Sequence, residues 1–288
     1  MKVAVVTGTS TGIGFATSLH LAANGYRVFA GMRSLAKAAP LREAAAAREL
    51  PVEVIEMDVT EQESVDRAFA VARAAGPVEV LVNNAGIGGA TPLELTPEAE
   101  HRAMFDTNYL GAIKCIQAVV TEMRERQSGT IVNITSMEGR VAIPDQIAYS
   151  ASKWALEAAG EALAHELYQF GVRVVNVEPG VIMTKIFENS APKTRYDKQS
   201  PYVQIMRRNG KMFAAGFRSN TPPEIVAETI LEAITTKEYK LRWPVGQDAI
   251  GMLEGRAQIT DEEWVSMGAE LSDEEYNARY KAAFGIEL

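Results

Sequence analysis

A tyrosine and a lysine four residues apart are the pair in this chain best suited to acid–base chemistry. They are Tyr149 and Lys153, and Ser136 precedes the tyrosine by thirteen residues. If residues 146–170 form a helix, the two side chains lie on one face with β-carbons roughly 5–6 Å apart. An ammonium that close favours the phenolate, so we expect the pKa of Tyr149 to fall from about 10 towards neutrality. Such a tyrosine can move a proton on and off an alcohol or carbonyl oxygen.

A glycine-rich turn near the start of the chain is the second chemical feature. It reads Thr7-Gly8-Thr9-Ser10-Thr11-Gly12-Ile13-Gly14, between an apolar run and the first helical pattern. Glycine allows positive φ and close approach of the backbone to a ligand. A helix that begins there offers free N–H groups and partial positive charge to a pyrophosphate. This placement predicts a dinucleotide site, and the alternative is a plain structural turn.

The end of the second predicted strand indicates which dinucleotide is preferred. Dinucleotide folds usually place a carboxylate about 20 residues past the glycines, where it binds the ribose 2′-hydroxyl. Here the chain reads Phe29-Ala30-Gly31-Met32-Arg33-Ser34, with no acid. The Arg33 guanidinium fits a phosphate, and Ser10 could add a hydrogen bond. We therefore predict NADP(H) over NAD(H), with a solvent-facing Arg33 and loose specificity as the alternative.

Two later strand ends carry further candidates for cofactor contacts. Asp58 follows the third predicted strand, where it could accept from the adenine amino group or cap the helix that starts near Thr60. The fourth predicted strand ends in Asn83-Asn84-Ala85-Gly86, whose small residues let a ribose lie against the backbone.

Strand and helix patterns alternate over the first 180 residues. Strands are predicted at Val3–Thr7, Arg27–Ala30, Val52–Met57, Val78–Val82, Thr130–Ile134 and Val172–Val177. Helices are predicted at 12–24, 34–49, 61–75, 97–126 and 148–170, with Pro40 interrupting the second. This order predicts a doubly wound α/β fold: a parallel sheet between two helix layers, a Rossmann-type three-layer sandwich in a single domain over residues 1–246.

Composition narrows the class of protein. The 288 residues include 47% hydrophobic and 23% charged side chains, as in soluble globular proteins, and the net charge of −8 argues against nucleic-acid binding. The lone Cys115 suits a reducing compartment, and three scattered histidines give no metal-ligand spacing. The first apolar run is too short for a signal peptide, and no run of about 18 apolar residues is available to span a membrane. We expect a cytoplasmic protein without a metal.

Charge is distributed unevenly beyond residue 180. Residues 185–220 contain eight lysines and arginines against Glu188 and Asp197, whereas residues 247–288 are rich in acids. We predict that 247–288 is an acidic C-terminal extension packed on the main domain. The basic segment could lie against it or meet an anionic substrate, and the alternative is two solvated surfaces.

Taken together, the motifs resemble the short-chain dehydrogenase/reductase family over roughly residues 1–245. They occur in the family's order: Thr7–Gly14, Asn83–Gly86, Asn108, Ser136, Tyr149 with Lys153, and Pro179-Gly180 followed by Thr184. The stretches 30–33 and 241–246 resemble the hydroxysteroid and retinol dehydrogenase branch.

The resemblance implies roles for these residues. Tyr149 would be the general acid or base, Ser136 would bind the substrate oxygen, and Lys153 would bind the nicotinamide ribose and lower the Tyr149 pKa. Asn108 would open a helix to hold a water that connects Lys153 to solvent. The segment 185–220 would form a substrate lid. The cofactor would contact Gly8, Ser10, Thr11, Gly12, Ile13, Gly14, Arg33, Asp58, Val59, Asn84, Ala85, Gly86, Tyr149, Lys153, Pro179, Gly180, Val181 and Thr184.

The resulting functional prediction is an NADP(H)-dependent oxidoreductase that interconverts a secondary alcohol and a ketone. A bulky hydrophobic or aromatic substrate is indicated by apolar lid residues: Ile186, Phe187, Tyr202, Val203, Ile205, Met206, Met212, Phe213 and Phe217. These could equally be core or oligomer contacts. The alternative function is a catalytically silent NADP(H)-sensing regulator. The resemblance also implies a homodimer or homotetramer formed through 97–126 and 148–170.

Overall fold

One parallel β-sheet organises the computed structural model, which describes residues 1–184 and 198–288. Its strand order is β3-β2-β1-β4-β5-β6-β7, and every pairing is parallel. The strands are β1 Lys2–Thr7, β2 Tyr26–Met32, β3 Val52–Glu56, β4 Val78–Asn83, β5 Gly129–Ile134, β6 Val172–Pro179 and β7 Arg242–Val245. The order reverses between β1 and β4, which opens a crevice at their carboxyl ends. The predicted doubly wound α/β fold is confirmed.

Helices cover both faces of this sheet. In the described ranges they are α1 Gly12–Ala23, α2 Ala39–Ala46, α3 Gln62–Arg73, α4 Glu98–Phe105, α5 Gly111–Arg126, α6 Ile147–Leu167, α7 Val203–Arg218, α8 Pro223–Thr235, α9 Gln247–Arg256, α10 Asp261–Ser266 and α11 Asp273–Phe284. One core joins the sheet to α1, α2 and α8, with Leu21, Leu41 and Ile230 fully buried. A second core on the opposite face contains Phe69 and Val119. The sheet is apolar on both faces because each is covered by a helix layer.

Two predicted helices differ from the observed ones. In place of a helix over 34–49, a 3₁₀ turn at Leu35–Lys37 precedes α2. Pro40 starts α2 instead of interrupting a helix, since a first-turn residue needs no N–H for the helical ladder. The predicted helix 97–126 is divided by a π-helical turn at Asp106–Leu110.

The C-terminal residues pack on the main domain through a third core. Met137 and Ile143 from the loops after β5 lie there with Met212 of α7, and the remaining buried members include Met252, Tyr280 and Phe284. At the surface, Arg207 and Lys211 of α7 pair with Asp273 at 2.6 and 3.0 Å. The basic and acidic segments therefore touch along α7. Residues 185–197 of the basic segment lie outside the described residues.

Among the helices at 1–184 and 198–288, none has the length and apolar character needed to cross a membrane.

Candidate active site

The crevice at the carboxyl ends of the strands forms a cavity of about 1190 Å³. The β1–α1 turn lines one side, the ends of β2 to β6 line the floor, and Phe213 of α7 reaches it from above. Eighteen residues predicted from the sequence line this cavity: Gly8, Ser10, Thr11, Gly12, Ile13, Arg33, Asp58, Val59, Asn84, Ala85, Gly86, Ser136, Tyr149, Lys153, Pro179, Gly180, Val181 and Thr184. The topology thus brings distant motifs to one place.

The glycine turn combines a close contact with the backbone after β4 and a helix N-terminus without a side-chain cap. Gly8 has φ +70°, and a β-carbon there would lie 2.7 Å from the Ala85 Cα. In the described structure the Thr11 side chain makes no capping hydrogen bond, and the first turn of α1 contains no acid. The N–H groups of this helix end therefore suit an anionic ligand such as a pyrophosphate.

Gly14 was predicted as a cofactor contact but does not line the cavity. A β-carbon at Gly14 would overlap the Gly8 carbonyl oxygen and the Asn84 amide. Its role is to let α1 pack tightly on the turn. The Asn84 amide donates to the Thr7 and Gly8 carbonyls at 2.8 and 3.0 Å, which holds the ends of β1 and β4 together.

Polar and basic groups surround the end of the cavity beyond β2 and β3. Arg33 and Lys37 are exposed, and both line the cavity with Ser10 and Ser34. Sequence reasoning missed Lys37, although a second basic residue four positions after Arg33 was a visible signal. Two positive charges at this end favour a bound phosphate group.

Asp58 lies at the same end of the cavity. Its Oδ1 accepts from the Thr60 N–H at 3.0 Å and from the Thr60 hydroxyl at 2.7 Å. Helix α3 begins only at Gln62, after Glu61 at the N-cap, so Asp58 shapes the preceding turn and does not cap the helix.

The proton-handling candidates meet at the other end of the cavity. The Lys153 Nζ is 5.7 Å from the centre of the Tyr149 ring and donates to the Ile134 carbonyl at 2.9 Å. The Ser136 hydroxyl, at the end of β5, lies close enough to the Tyr149 hydroxyl to lower the Tyr149 pKa, and it donates to the Pro179 carbonyl at 3.5 Å. Lys153 and Ser136 are 5% and 6% exposed, so the arrangement is held by packing.

Asn108 supports this end from behind and does not line the cavity. In the π-helical turn its Oδ1 accepts from the Ile87 N–H at 2.8 Å, and its Nδ2 donates to the Ile87 carbonyl at 2.9 Å. The same Nδ2 donates to the Ser152 hydroxyl at 3.0 Å, between Tyr149 and Lys153 on α6. Asn108 therefore ties the π-helical turn to the loop after β4 and to the helix that carries Tyr149 and Lys153.

Glu138 is a cavity residue that sequence reasoning missed. It is 3% exposed, and its Oε2 accepts from the Ser150 hydroxyl at 2.8 Å. Its backbone N–H donates to the Ser136 Oγ at 3.1 Å, which fixes that hydroxyl. Burial raises the pKa of Glu138 to about 8. The visible signal was an acid two residues after Ser136, directly after an apolar predicted strand.

The pKa of Tyr149 departs from the prediction. Burial raises it, the charge of Glu138 raises it further, and the Ser136 hydrogen bond lowers it. The predicted fall towards neutrality is wrong for the protein chain without a ligand, because burial and the charge of Glu138 outweigh the effect of the Ser136 hydroxyl. Burial also lowers the pKa of Lys153 to about 8, against the opposing effects of Glu138 and Glu157.

Apolar and amide side chains line the cavity beyond Tyr149. Met137, Gln146 and Phe213 lie there with Ile87 and the backbone of 88–90. Other residues predicted to face the substrate have different positions. Met212 belongs to the third core, and the Tyr202 hydroxyl donates to Glu94 at 2.6 Å. Ile186 and Phe187 lie outside the described residues.

Within the described parts of the chain, no group of three or more histidine, cysteine, aspartate or glutamate side chains is arranged to hold a metal ion.

Comparison with known proteins assigns the family. The profile of the family described as short chain dehydrogenase matches residues 2–195. A solved short-chain dehydrogenase from Streptomyces avermitilis superimposes with a TM-score of 0.80 and 35% identity, covering 93% of this chain and 98% of that one. The chain therefore belongs to the short-chain dehydrogenase family, whose members are oxidoreductases that bind nicotinamide dinucleotides and act on CH–OH groups.

Two relatives match the branch predicted from residues 30–33 and 241–246. Retinol dehydrogenase 8 of Homo sapiens is 34% identical over 84% of this chain and 80% of its own length. Estradiol 17-beta-dehydrogenase 1 of Rattus norvegicus is 35% identical over 84% of this chain and 72% of its own. The resemblance predicted from the motifs is thus confirmed.

Proposed function

We propose that this protein is an NADP(H)-dependent oxidoreductase that interconverts a secondary alcohol and a ketone on a bulky, hydrophobic or aromatic substrate. The observation that supports this most directly is the meeting of Tyr149, Ser136 and Lys153 at one end of a crevice built for a dinucleotide. Carbonyl reduction requires three groups from the protein: a proton donor, a hydroxyl that binds the substrate oxygen, and a buried cation.

The proposed roles follow from the side-chain contacts. When bound, the nicotinamide supplies or accepts the hydride at the substrate carbon. In reduction Tyr149 gives its proton to the carbonyl oxygen, and in oxidation it removes the proton from the alcohol. The Ser136 hydroxyl donates to the developing alkoxide. Lys153 binds the nicotinamide ribose, while Pro179, Gly180, Val181 and Thr184 hold the carboxamide end.

Replacing the proton donor tests this mechanism. We expect Tyr149→Phe to lower turnover at least about 100-fold, because the substrate oxygen loses its proton donor. The dissociation constant for NADPH should stay within about threefold, since the ring and its packing remain. The measurement is steady-state NADPH oxidation with a panel of ketones, together with fluorescence titration of NADPH. Tyr168→Phe is the matched control, because Tyr168 is 70% exposed and outside the cavity. Turnover by the Tyr149 variant equal to that of the control would refute the mechanism.

The choice of NADP(H) rests on Arg33, Lys37 and the two serines at the β2 end of the cavity. Arg33→Glu should lower the preference for NADPH over NADH by on the order of tenfold to a hundredfold, since a charge-assisted phosphate contact becomes a repulsion. The ratio of kcat/KM values for the two cofactors measures this. Arg42→Glu makes the same charge change on the exposed side of α2 and should leave the ratio unchanged. If both variants keep the wild-type ratio, NAD(P) selectivity does not depend on Arg33.

A bulky hydrophobic substrate is supported by the apolar wall at Ile87, Met137 and Phe213. It is also consistent with relatives named as a retinol dehydrogenase and an estradiol dehydrogenase. The alternative, a silent NADP(H)-sensing regulator, predicts cofactor binding without turnover of any ketone, and the same ketone panel separates the two.

We also propose a homodimer or homotetramer built on 97–126 and 148–170. Leu110 and Trp154 leave 41% and 48% of their surface exposed in these segments, as residues at a subunit contact would. A cytoplasmic location stays a prediction, supported by the composition and by the single buried Cys115.

A further inference from the structure

The stretch Leu241–Gly246, which identifies the branch of the family, has no place in the mechanism above. It forms β7, the edge strand beside β6, with Pro179 opposite Val245. The Gly180 N–H donates to the Val245 carbonyl at 2.9 Å. The turn after β7 therefore lies directly against residues Pro179–Val181, here called the cofactor loop because the proposed function assigns them to the nicotinamide end of the cofactor.

Asp248, in the first turn of α9, reaches this loop. Its Oδ2 accepts from the Val181 N–H at 2.6 Å, and the residue is only 5% exposed. Its Oδ1 is buried without a hydrogen-bond partner among the described residues. Burying a carboxylate costs free energy that hydrogen bonds or a neighbouring cation must offset. The hydrogen bond to Val181 is the contact that reaches the cofactor cavity.

Three glycines from separate elements make room for this carboxylate. A β-carbon on Gly180 would overlap it, and one on Gly246 would lie 2.6 Å from its Oδ1. On Gly216 of α7, a β-carbon would lie 3.0 Å from the Asp248 Oδ2 and would overlap the Val181 side chain. The Asp248 carboxylate thus occupies the point where the cofactor loop, α7 and the C-terminal extension meet.

We propose that Asp248 is a positioning residue for the cofactor: from the C-terminal extension, it holds the Gly180–Val181 backbone in the conformation that receives the nicotinamide end. This inference rests on the proposed function, because it takes that loop to be part of the cofactor site. Through Gly216 the same carboxylate also fixes α7, whose Phe213 lines the substrate side of the cavity. On this proposal the C-terminal extension contributes a residue that shapes the cofactor site.

Substitution of Asp248 tests the inference in the full-length protein. Asp248→Ala leaves the buried Val181 N–H without an acceptor, and we expect the dissociation constant for NADPH to rise about tenfold or more. Asp248→Asn keeps an acceptor oxygen of the same size and should stay within about threefold of wild type. Fluorescence titration gives the dissociation constant, and steady-state kinetics give kcat and the KM for the ketone.

Asp273→Ala is the matched control, because Asp273 joins the extension to α7 at the surface and does not touch the loop. It should leave NADPH affinity unchanged. Melting temperatures measured for all variants separate cofactor positioning from stability. An Asp248→Ala protein that melts earlier but binds NADPH as wild type does would overturn the inference.

A second variant covers the case in which Asp248→Ala does not fold. Gly216→Ala pushes on Val181 and Asp248 from α7, and it should weaken NADPH binding whereas Gly210→Ala, with open space around it on the same helix, should not. Equal affinity in these two variants would also overturn the inference. Wild-type protein that binds neither NADPH nor NADH would instead refute the proposed function itself.

Discussion

Tyr149 lies beside two other titratable groups, Glu138 and Lys153, in the candidate active site. Glu138 raises the pKa values of both, because a negative charge disfavours the phenolate and favours the ammonium. Ser150 and Ser136 hold Glu138 through its side chain and its backbone. The pH range in which Tyr149 can donate a proton therefore depends on Glu138 as well as on burial.

Glu138→Gln should move the pH dependence of ketone reduction. The amide keeps the acceptor for Ser150 but removes the charge, so the pKa values of Tyr149 and Lys153 both fall. In the proposed mechanism, reduction requires protonated Tyr149 and is lost as pH rises through the Tyr149 pKa. The alkaline limb should therefore shift to lower pH. Plots of kcat/KM against pH measure the shift, and Glu61→Gln, at the opposite end of the cavity, should not produce it. An unshifted limb in Glu138→Gln would show that its charge does not reach Tyr149.

At this scale the sequence predicted which residues meet but not how they titrate. Tyr149 and Lys153 share a helix face, so their spacing alone brings them together. The pKa of Tyr149 depends on burial and on Glu138, which depend on how the 3₁₀ turn at Met137–Gly139 packs against α6. The hydrophobic periodicity of the sequence does not predict that packing.

Among the elements, α6 is fixed to the sheet by a row of buried amides. The Asn83 side chain donates to Asn133 at 3.0 Å, and Asn133 donates to Asn176 at 3.1 Å, across β4, β5 and β6. Asn176 then donates to the Glu157 Oε2 of α6 at 2.9 Å. Glu157 lies one turn beyond Lys153, so the row anchors the helix that carries Tyr149 and Lys153. Gly160 allows the close approach, because a β-carbon there would overlap the Asn176 amide.

Gly160→Ala should separate α6 from β6. We expect the free energy of unfolding to fall by about 1–3 kcal/mol, because the methyl group has no space beside the amide. Turnover should fall as well, since Lys153 moves with the helix. Urea denaturation and steady-state kinetics measure the two effects. Gly210→Ala should instead raise the free energy of unfolding by about 0.5–1 kcal/mol, because Gly210 is an exposed position of α7 with open space around it. A Gly160 variant as stable as the Gly210 variant would contradict close packing of α6 on Asn176.

The strands could be predicted from the sequence where they are continuous runs of buried apolar residues. The first six strands are apolar runs between turn residues, and all six are found in the sheet. Strand β7 was missed because it has four residues, and Pro244 argues against a strand unless it lies at an edge, where β7 does lie. The π-helical turn was not evident from helical spacing, because it depends on contacts of Asn108 with the distant Ile87.

At the scale of the whole molecule, the C-terminal extension supplies six of the ten buried residues described in the third core. Tyr280 and Phe284 of α11 are 1% and 3% exposed and pack with Met137 and Met212 of the main domain. Asp248 joins the same extension to the cofactor loop. We therefore propose that residues 247–288 unfold together with residues 1–246 in one cooperative transition.

Phe284→Ala tests whether the extension and the main domain unfold in one cooperative transition. The variant loses a buried ring that contacts Tyr280 and Trp264, so the free energy of unfolding should fall by about 3–5 kcal/mol. The whole chain should still unfold in a single transition. Its urea midpoint should fall by the same amount whether it is followed by circular dichroism or by tryptophan fluorescence. Val265→Ala, in the same extension but 74% exposed, should change stability by less than about 0.5 kcal/mol. If Phe284→Ala moved the fluorescence midpoint to lower urea while the circular dichroism midpoint stayed at the wild-type value, the extension would unfold independently of residues 1–246. It would then not stabilise the cofactor loop of the main domain.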